Sequence, residues 1–219
     1  MISLLFYVKP SSVMRIPKPV LLFCLLVLSA FNVQTSKTYL TKWVINKECT
    51  LKVVGSTNVN TFSCVIPHYF KPDILTFNDN NTHGAIKMTG ALKLDIQEFD
   101  CHNTLMTSDL RKTLKCKKFP YLIITFISLN RYPYLKKETD NIKGIVSIQL
   151  AGNTKRYEVD FKFKPTGTNT LTLVGLRKVN FSDFDIVPPR KLGGMIKTNN
   201  ELEVEFNLEV KILDEKNVI

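Results

Sequence analysis

The stretch ELEVEFNLEVKIL, residues 201–213, alternates between apolar and polar side chains with a period of two. Successive side chains on a β-strand point to opposite faces, so this pattern predicts a long strand with one apolar and one solvated face. A helical period of about 3.6 residues would instead scatter the glutamates into the apolar stripe. The apolar face must border an interior, which is either a core filled by side chains or a hollow that holds a ligand.

Extended segments recur along the chain, including GIVSIQLAG and RYEVDFKF, which are joined through the turn sequence GNTK. One segment differs, because Met106, Leu110 and Leu114 have the four-residue spacing of an apolar stripe on a helix. The chain lacks the regular alternation of strands and helices that is typical of parallel α/β folds. We therefore predict an all-β fold over residues 37–219: a lipocalin-like antiparallel barrel of about eight strands. One short helix caps or flanks this barrel.

A different pattern precedes the predicted barrel. Arg15 and Lys18 come before the apolar run VLLFCLLVLSAF, which has 12 residues and is followed by small or polar residues. A transmembrane helix needs about 20 apolar residues, whereas a basic lead and a short apolar run are typical of a secretory signal. We predict a signal peptide over residues 1–36, with cleavage between Ala30 and Ser36, and a periplasmic or secreted product. A buried N-terminal helix and an uncleaved anchor are the alternatives.

Four cysteines follow the predicted signal: Cys49, Cys64, Cys101 and Cys116. An even number in an exported chain predicts two disulfides, and four cysteines allow three pairings. The local likeness of FSC and FDC favours Cys64 with Cys101, which leaves Cys49 with Cys116. No two cysteines have C-x-x-C spacing, which argues against a metal site or a redox dithiol.

The chain is basic, with a formal net charge of +11. Loss of Lys9, Arg15 and Lys18 with the signal leaves about +8. We expect no nucleic-acid partner, since an exported protein seldom meets nucleic acid. The charge favours either simple solubility or affinity for an anionic membrane surface or headgroup. The oligomeric state stays open.

The sequence contains no catalytic constellation that we recognise. The histidines His68, His83 and His102 form no H-E-x-x-H pair, and G-x-S-x-G and phosphate-binding glycine loops are absent. Asp183 and Asp185 are close in sequence but lack a third catalytic group. We therefore expect no catalytic residues, no metal and no cofactor, and we predict a binding protein and not an enzyme.

Four segments of the chain together resemble a known family. They are GSTNVNTFSC (55–64), FDCHNTLMTSDLRKTLKCKKFP (99–120), IKGIVSIQLAGNTKRYEVDF (142–161) and SDFDIVPPRKLGGMIKTNNELEVEFNLEV (182–210). Their order and spacing resemble the YceI-like family of exported bacterial proteins. The resemblance implies a lipocalin-like barrel with a helix near one end and an apolar tunnel for a polyisoprenoid or quinone-like lipid. The chain departs from the family's polar pattern in the helix and at NFSDFDI, so no headgroup contacts are carried over from those positions.

With this resemblance, the apolar residues of the alternating strands become candidates for the lining of a ligand tunnel. They are Leu92, Leu94, Ile96, Tyr157, Val159, Phe161, Phe163, Leu171, Leu173, Leu202, Val204, Phe206, Leu208 and Val210. The helix residues Met106, Leu110 and Leu114 are candidates for closing one end of the barrel. Candidates for contact with an anionic headgroup are Arg177, Arg190, Lys191 and Lys197. The competing hypothesis is a structural or interaction barrel with a core filled by side chains and a basic outer binding surface.

Overall fold

The computed structural model describes residues 38–46, 49–69, 71, 73–79, 84–134 and 139–218, with side chains described between 41 and 213 except at 79. The predicted signal segment, residues 1–36, and its cleavage region therefore lie outside the described residues. Among the described residues, no helix combines the length and the apolar character needed to cross a membrane.

The described chain is mostly β-strand. The strands are β1 (Thr38–Ile45), β2 (Thr50–Thr57), β3 (Thr61–Ile66), β4 (Ile74–Asp79), β5 (Ile86–Thr89), β6 (Ala91–Asp95), β7 (Tyr121–Leu129), β8 (Asp140–Leu150), β9 (Asn153–Pro165), β10 (Thr170–Asn180), β11 (Arg190–Lys191) and β12 (Ile196–Val218). The described chain also contains one α-helix, α1 (Thr104–Thr113), and three short 3₁₀ helices, η1 (Ile96–Glu98), η2 (Phe181–Phe184) and η3 (Leu192–Gly194).

Eight strands close into an antiparallel barrel. They follow one another in the order β1, β4, β5, β7, β8, β9, β10 and β12, and β12 pairs back onto β1. The barrel and its single α-helix confirm the predicted fold class. More segments appear than were predicted because some wall strands are interrupted. For example, Gly90, with φ 131°, separates β5 from β6, and both pair with β7.

Strand β12 is the longest strand and contains the alternating stretch. It runs beyond that stretch at both ends, and it pairs with β2 along its first half and with β1 along its second half. Leu208 lies opposite Leu173 and Val210 opposite Leu171 on β10, and all four side chains are buried. Cross-strand partners share a face of the sheet, so the predicted apolar face does border the interior.

The β8–β9 hairpin is confirmed, but its turn lies earlier than the GNTK sequence indicated. Leu150 pairs with Asn153, so the two-residue turn is Ala151–Gly152, with φ 51° and 88°. Positive φ at both turn residues matches the twist of the flanking strands. A Cβ at Gly152 would lie 2.6 Å from the Phe119 ring, so this close approach also requires glycine.

Aromatic rings fill the middle of the barrel. The Phe206 ring centroid lies 5.9 Å from that of Phe126 and 5.9 Å from that of Phe161, so rings from β7, β9 and β12 meet across the interior. The Phe206 ring also covers Gly175, where a Cβ would lie 2.1 Å from a ring atom. Towards one end of the barrel, which we call the Trp43 end, the buried Trp43 ring packs against Phe77 at 4.2 Å.

Helix α1 covers the opposite end, which we call the α1 end. Asn103 caps the helix by accepting a hydrogen bond from the Met106 N–H at 3.0 Å. The Thr107 hydroxyl oxygen accepts from the Cys101 N–H at 3.0 Å, which holds the helix against the segment before it. Leu114 is buried, and Met106 and Leu110 are partly buried against the core. All three residues of the helix stripe therefore pack against the core.

One of the two expected disulfides is present. Cys64 of β3 is bonded to Cys101, just before α1, which confirms the pairing favoured by the sequence. The expected second bond is wrong, because Cys49 and Cys116 are free, buried thiols. They occupy different environments: Cys49 lies just before β2 and its thiol donates to the Asn46 carbonyl, whereas Cys116 follows α1 and accepts from the Gln97 side chain. The even number of cysteines therefore predicted one disulfide too many.

Candidate apolar ligand site

The α1 end of the barrel contains an enclosed apolar cavity of about 50 Å³. Side chains from α1 and from the walls of the barrel surround it, and every lining residue is apolar. The lining consists of Val53, Phe99, Leu110, Leu114, Leu122, Ile124, Ile148, Leu150, Val179, Phe184, Leu202 and Val204. A cavity without polar groups offers water no hydrogen-bond partners, so it is suited to hydrocarbon and not to solvent.

An open groove of about 430 Å³ lies on the outer side of the same helix. We call it the mouth groove. It runs between α1, the β2–β3 turn and the segment from Phe181 to Thr198. Its lining is mixed, and it comprises Thr57, Val59, Asn60, Phe62, Cys64, Asn103, Leu105, Met106, Asp109, Leu110, Thr113, Phe181, Pro189, Lys191, Ile196 and Thr198.

Leu110 lines both the mouth groove and the enclosed cavity. A single layer of side chains therefore separates an open surface depression from an apolar interior space. Deeper in the barrel, Phe206 borders a second enclosed space of only about 10 Å³, beside Leu92, Leu94 and Leu208. The groove and the cavity of about 50 Å³ share Leu110, whereas the space of about 10 Å³ shares no lining residue with either of them.

The predicted tunnel-lining residues all face the interior, but they do not border one continuous void. Val204 is partly buried, and the other thirteen are buried in the hydrophobic core. Leu202 and Val204 line the cavity of about 50 Å³, and Leu92, Leu94, Phe206 and Leu208 line the smaller one. The remainder, Ile96, Tyr157, Val159, Phe161, Phe163, Leu171, Leu173 and Val210, pack within the core cluster.

Sequence reasoning missed several walls of the cavity, notably Leu122 and Ile124 of β7 and Ile148 of β8. The segment YLIITFISL has apolar residues on both faces, so its inward and outward positions look alike. The structure separates them, since Leu122 and Ile124 are buried while Tyr121 and Thr125 are exposed. The polar Thr125 and Ser128 were the only signals of orientation in that strand.

The four candidate headgroup residues divide into two places. Arg190 pairs with Lys197 across β11 and β12, and Lys191 lies beside them at the mouth groove. The Lys191 ammonium forms an ion pair with the Asp109 carboxylate of α1, which spans the groove. Arg177 lies elsewhere, on β10, with its guanidinium 5.7 Å from the centre of the Tyr157 ring. Of the four, Lys191 lines the mouth groove, Arg190 and Lys197 are its neighbours on β11 and β12, and Arg177 lies apart.

Polar groups near the α1 end serve structural roles. The Tyr157 hydroxyl donates to the Asp183 carboxylate at 2.7 Å, and the Asn180 N–H donates to the same carboxylate at 3.0 Å. The hydrogen bond from Tyr157 lowers the pKa of Asp183 below its ordinary value of 3.8, and the Asn180 N–H adds to this effect. Burial, together with the bond to Asp183, raises the pKa of Tyr157.

No cluster in the described residues suggests metal or thiol chemistry. No group of three or more histidine, cysteine, aspartate or glutamate side chains is placed there to hold a metal ion. Burial raises the pKa of the Cys49 thiol to about 11, so this cysteine stays protonated and unreactive at neutral pH. The mouth groove and its adjoining cavity are therefore our candidate site.

Comparison with known proteins identifies structural relatives. No protein-family model and no curated protein sequence matches the chain. A polyisoprenoid-binding domain from Saccharophagus degradans, implicated in plant cell wall breakdown, superposes with a TM-score of 0.55 at 9% identity, covering 78% of this chain and 98% of that one. BcnA from Burkholderia cenocepacia superposes with a TM-score of 0.53 at 14% identity, covering 74% and 95%.

A YceI protein from Campylobacter jejuni also aligns, with a TM-score of 0.45 at 15% identity over 57% of this chain and 73% of that chain. The first two alignments, which extend over nearly the whole of each relative, show that the described barrel shares their fold.

Proposed function

We propose that this chain, whose fold is that of the YceI-like and polyisoprenoid-binding barrels, binds the apolar chain of an isoprenoid-type or quinone-like lipid outside the cytoplasm. The chain of the lipid enters from the mouth groove, and the protein carries or sequesters it without chemical change. The observation that supports this most directly is the position of Leu110, which lines both the groove of about 430 Å³ and the wholly apolar cavity of about 50 Å³.

The driving force for such binding is the transfer of hydrocarbon out of water. Each Å² of apolar surface buried contributes about 25 cal/mol, so a long prenyl chain gains affinity without any charged contact along its length. Apolar walls provide that burial, and a few polar groups at the entrance orient the ligand. Here the cavity of about 50 Å³ provides the apolar walls, and Lys191 with Asp109 provides polar groups at the mouth groove.

Because the enclosed cavity is small, side chains around it must move when a prenyl chain binds. An apolar cavity of about 150 Å³ admits a benzene molecule, and the enclosed space here is about 50 Å³. Entry of a prenyl chain therefore requires Leu110 and its neighbours to change rotamer, and the ligand displaces them towards the groove. The packed rings of Phe126, Phe161 and Phe206 block the centre of the barrel, so the proposed binding region is its α1 half.

Filling the cavity tests this proposal. Val204→Phe places a ring in the cavity of about 50 Å³, whereas Val174→Phe makes the same change on β10, opposite Asn207 and outside the cavity lining. We expect Val204→Phe to weaken binding of a fluorescent farnesol derivative at least tenfold, and Val174→Phe to bind as the unchanged protein does. Titration monitored by fluorescence gives both affinities. Equal binding by all three proteins would contradict the site.

The ligand itself is identified by mass spectrometry of organic extracts. Protein purified from its own host should release a stoichiometric long-chain isoprenoid or quinone, and the Val204→Phe protein should release less of it. Extracts free of such a lipid, from protein that also fails to bind the farnesol probe, would reject the proposal.

The competing function is an interaction barrel with a solid core and a basic outer surface. The ring contacts of Phe206 with Phe126 and Phe161 favour it, because they leave the barrel centre packed. This alternative predicts that Val204→Phe changes only the free energy of unfolding. It also predicts a saturable protein partner that charge-neutral variants of the outer strands no longer bind.

A further inference from the structure

Apolar side chains protrude from the protein around the mouth groove. Val59 of the β2–β3 turn, Leu105 of α1, and Leu192 and Met195 of the β11–β12 connection have exposed fractions of 65%, 76%, 65% and 71%. We call these four residues the apolar tip. Only Val187, at 80%, is comparably exposed among the large hydrophobic residues of the described chain. Large apolar residues concentrated at one exposed site are typical of an interaction surface.

The backbone holds these side chains in one place. The Asn58 side chain donates to the Met195 carbonyl at 2.9 Å and accepts from the Lys197 N–H at 2.9 Å, which ties the β2–β3 turn to the β11–β12 connection. Gly193 and Gly194, with φ 64° and 95°, have no atom within 4 Å of the position of a Cβ. Leu192 and Met195 thus flank a bare glycine turn that projects from the rest of the barrel.

Positive charge borders the apolar tip. Residues 186–200 contain Arg190, Lys191 and Lys197 and no acidic residue. We call these three cations the basic rim. The one acid that lines the mouth groove, Asp109, is paired with Lys191.

We propose that the apolar tip and the basic rim dock the α1 end of the protein on an anionic membrane surface. Apolar side chains enter the headgroup region while the surrounding lysines and arginines meet anionic phosphates, a combination that is characteristic of interfacial binding. Charge complementarity favours a membrane over a second copy of this basic chain, whose own rim would repel it. Docking goes beyond the proposed function and does not depend on lipid uptake, but it would place the mouth groove against the bilayer.

Flotation with lipid vesicles tests the docking surface. The full chain is mixed with vesicles of phosphatidylcholine alone, or of equal parts phosphatidylcholine and phosphatidylglycerol, and the bound fraction is measured. We expect binding to the anionic vesicles that weakens as salt is raised, because exposed charges are screened. The double variant Leu192→Ser/Met195→Ser should lower the partition coefficient at least tenfold. Arg190→Gln/Lys197→Gln should lower the partition coefficient roughly 25-fold, since each cation near an anionic surface raises it about fivefold.

Matched variants distinguish the tip from the rest of the surface. Ile145→Ser/Leu176→Ser removes two exposed apolar side chains from the outer faces of β8 and β10, and Lys162→Gln/Lys164→Gln removes two exposed cations from β9. Both controls should bind as the unchanged protein does. The apolar run of residues 20–31 is common to every variant, so the proteins compared differ only at the substituted positions.

Two outcomes would overturn the docking surface: equal loss of binding in tip and control variants, or a tip-dependent dimer in solution, which would show that a second copy covers the tip. The two proposals fail separately. Val204→Phe should dock normally and lose the farnesol probe, whereas Leu192→Ser/Met195→Ser should bind the free probe normally and lose the vesicles.

Discussion

At the scale of single residues, the sequence identified which side chains are apolar and inward but not which polar groups they meet. Tyr157 was recognised as an interior residue from its alternation with Val159 and Phe161, and it is buried. Asp183 was interpreted, together with Asp185, as one of two neighbouring acids that lack a third catalytic group. The fold brings Tyr157 and Asp183 together with a hydrogen bond of 2.7 Å across 26 residues. Local patterns contain no information on such a contact, because it depends on where η2 packs against β9.

The Tyr157–Asp183 hydrogen bond predicts a pH-dependent contribution to stability. The pKa of Asp183 is lower in the folded protein than its ordinary value of 3.8, so the folded state binds the proton less readily than the unfolded state. The stabilisation is therefore complete above pH 3.8 and is lost as the pH falls through the lower folded value. Tyr157→Phe should reduce the free energy of unfolding by about 1 kcal/mol at neutral pH.

That difference should shrink as Asp183 becomes protonated, which urea unfolding at a series of pH values will measure. Tyr121→Phe, a change at a more exposed tyrosine of β7, serves as the control and should have little effect at any pH. If the loss of unfolding free energy in Tyr157→Phe stays constant into strong acid, the hydrogen bond to Asp183 is not the cause of that loss.

At the scale of elements, periodicity predicted strands and helix well and their boundaries less well. Helix α1 contains Met106 and Leu110 of the predicted apolar stripe, and Leu114 follows its last residue. The β8–β9 turn was predicted two residues too late. Ala151 adopts a positive φ, which is uncommon for alanine, so the sequence does not indicate a turn at this position. The pairing of Cys64 with Cys101 was anticipated, whereas the free state of Cys49 and Cys116 required knowledge of how distant elements pack.

The Cys64–Cys101 disulfide should control the stability of α1. It joins residues 37 apart and fastens the segment leading into α1 to β3. Replacing both cysteines with alanine should lower the free energy of unfolding by about 2–5 kcal/mol and accelerate amide hydrogen exchange in α1 more than in β8 and β9. Cys116→Ala, at a buried thiol outside the disulfide, is the matched control. Unchanged exchange in α1 would show that the helix is held by its packing alone.

At the scale of the whole molecule, the all-β class and the barrel were predictable because several alternating strands without regular helices have few ways to bury one face each. The resemblance to YceI-like proteins is confirmed at the level of the fold. The extent to which the barrel is filled was not predictable. Alternation fixes the direction of a side chain, but ring contacts such as that of Phe206 with Phe126 depend on strand register and on the absent side chain of Gly175.

One continuous core predicts cooperative unfolding of the barrel. Trp43 is the only tryptophan and is fully buried on β1, the strand onto which β12 closes. Its fluorescence and the far-UV circular dichroism should therefore report the same urea transition. Leu208→Ala should shift both transitions equally and cost about 2–5 kcal/mol, while Glu205→Ala, on the exposed face of the same strand, should cost less than about 0.5 kcal/mol. Separate transitions for the two probes would reveal independent halves.

The join between β3 and the segment after β6 differs from the rest of the wall. Among the described residues, β3 meets this segment through one isolated bridge, Val65 with Asp100, and through the Cys64–Cys101 bond. Elsewhere ladders of hydrogen bonds join neighbouring strands, whereas here two backbone hydrogen bonds and one disulfide make the join. The disulfide limits how far β3 can separate from the segment before α1, beside the mouth groove that Cys64 lines. For the proposed lipid site we therefore expect a slender methyl-branched chain to bind and a fused-ring lipid such as a sterol to bind poorly.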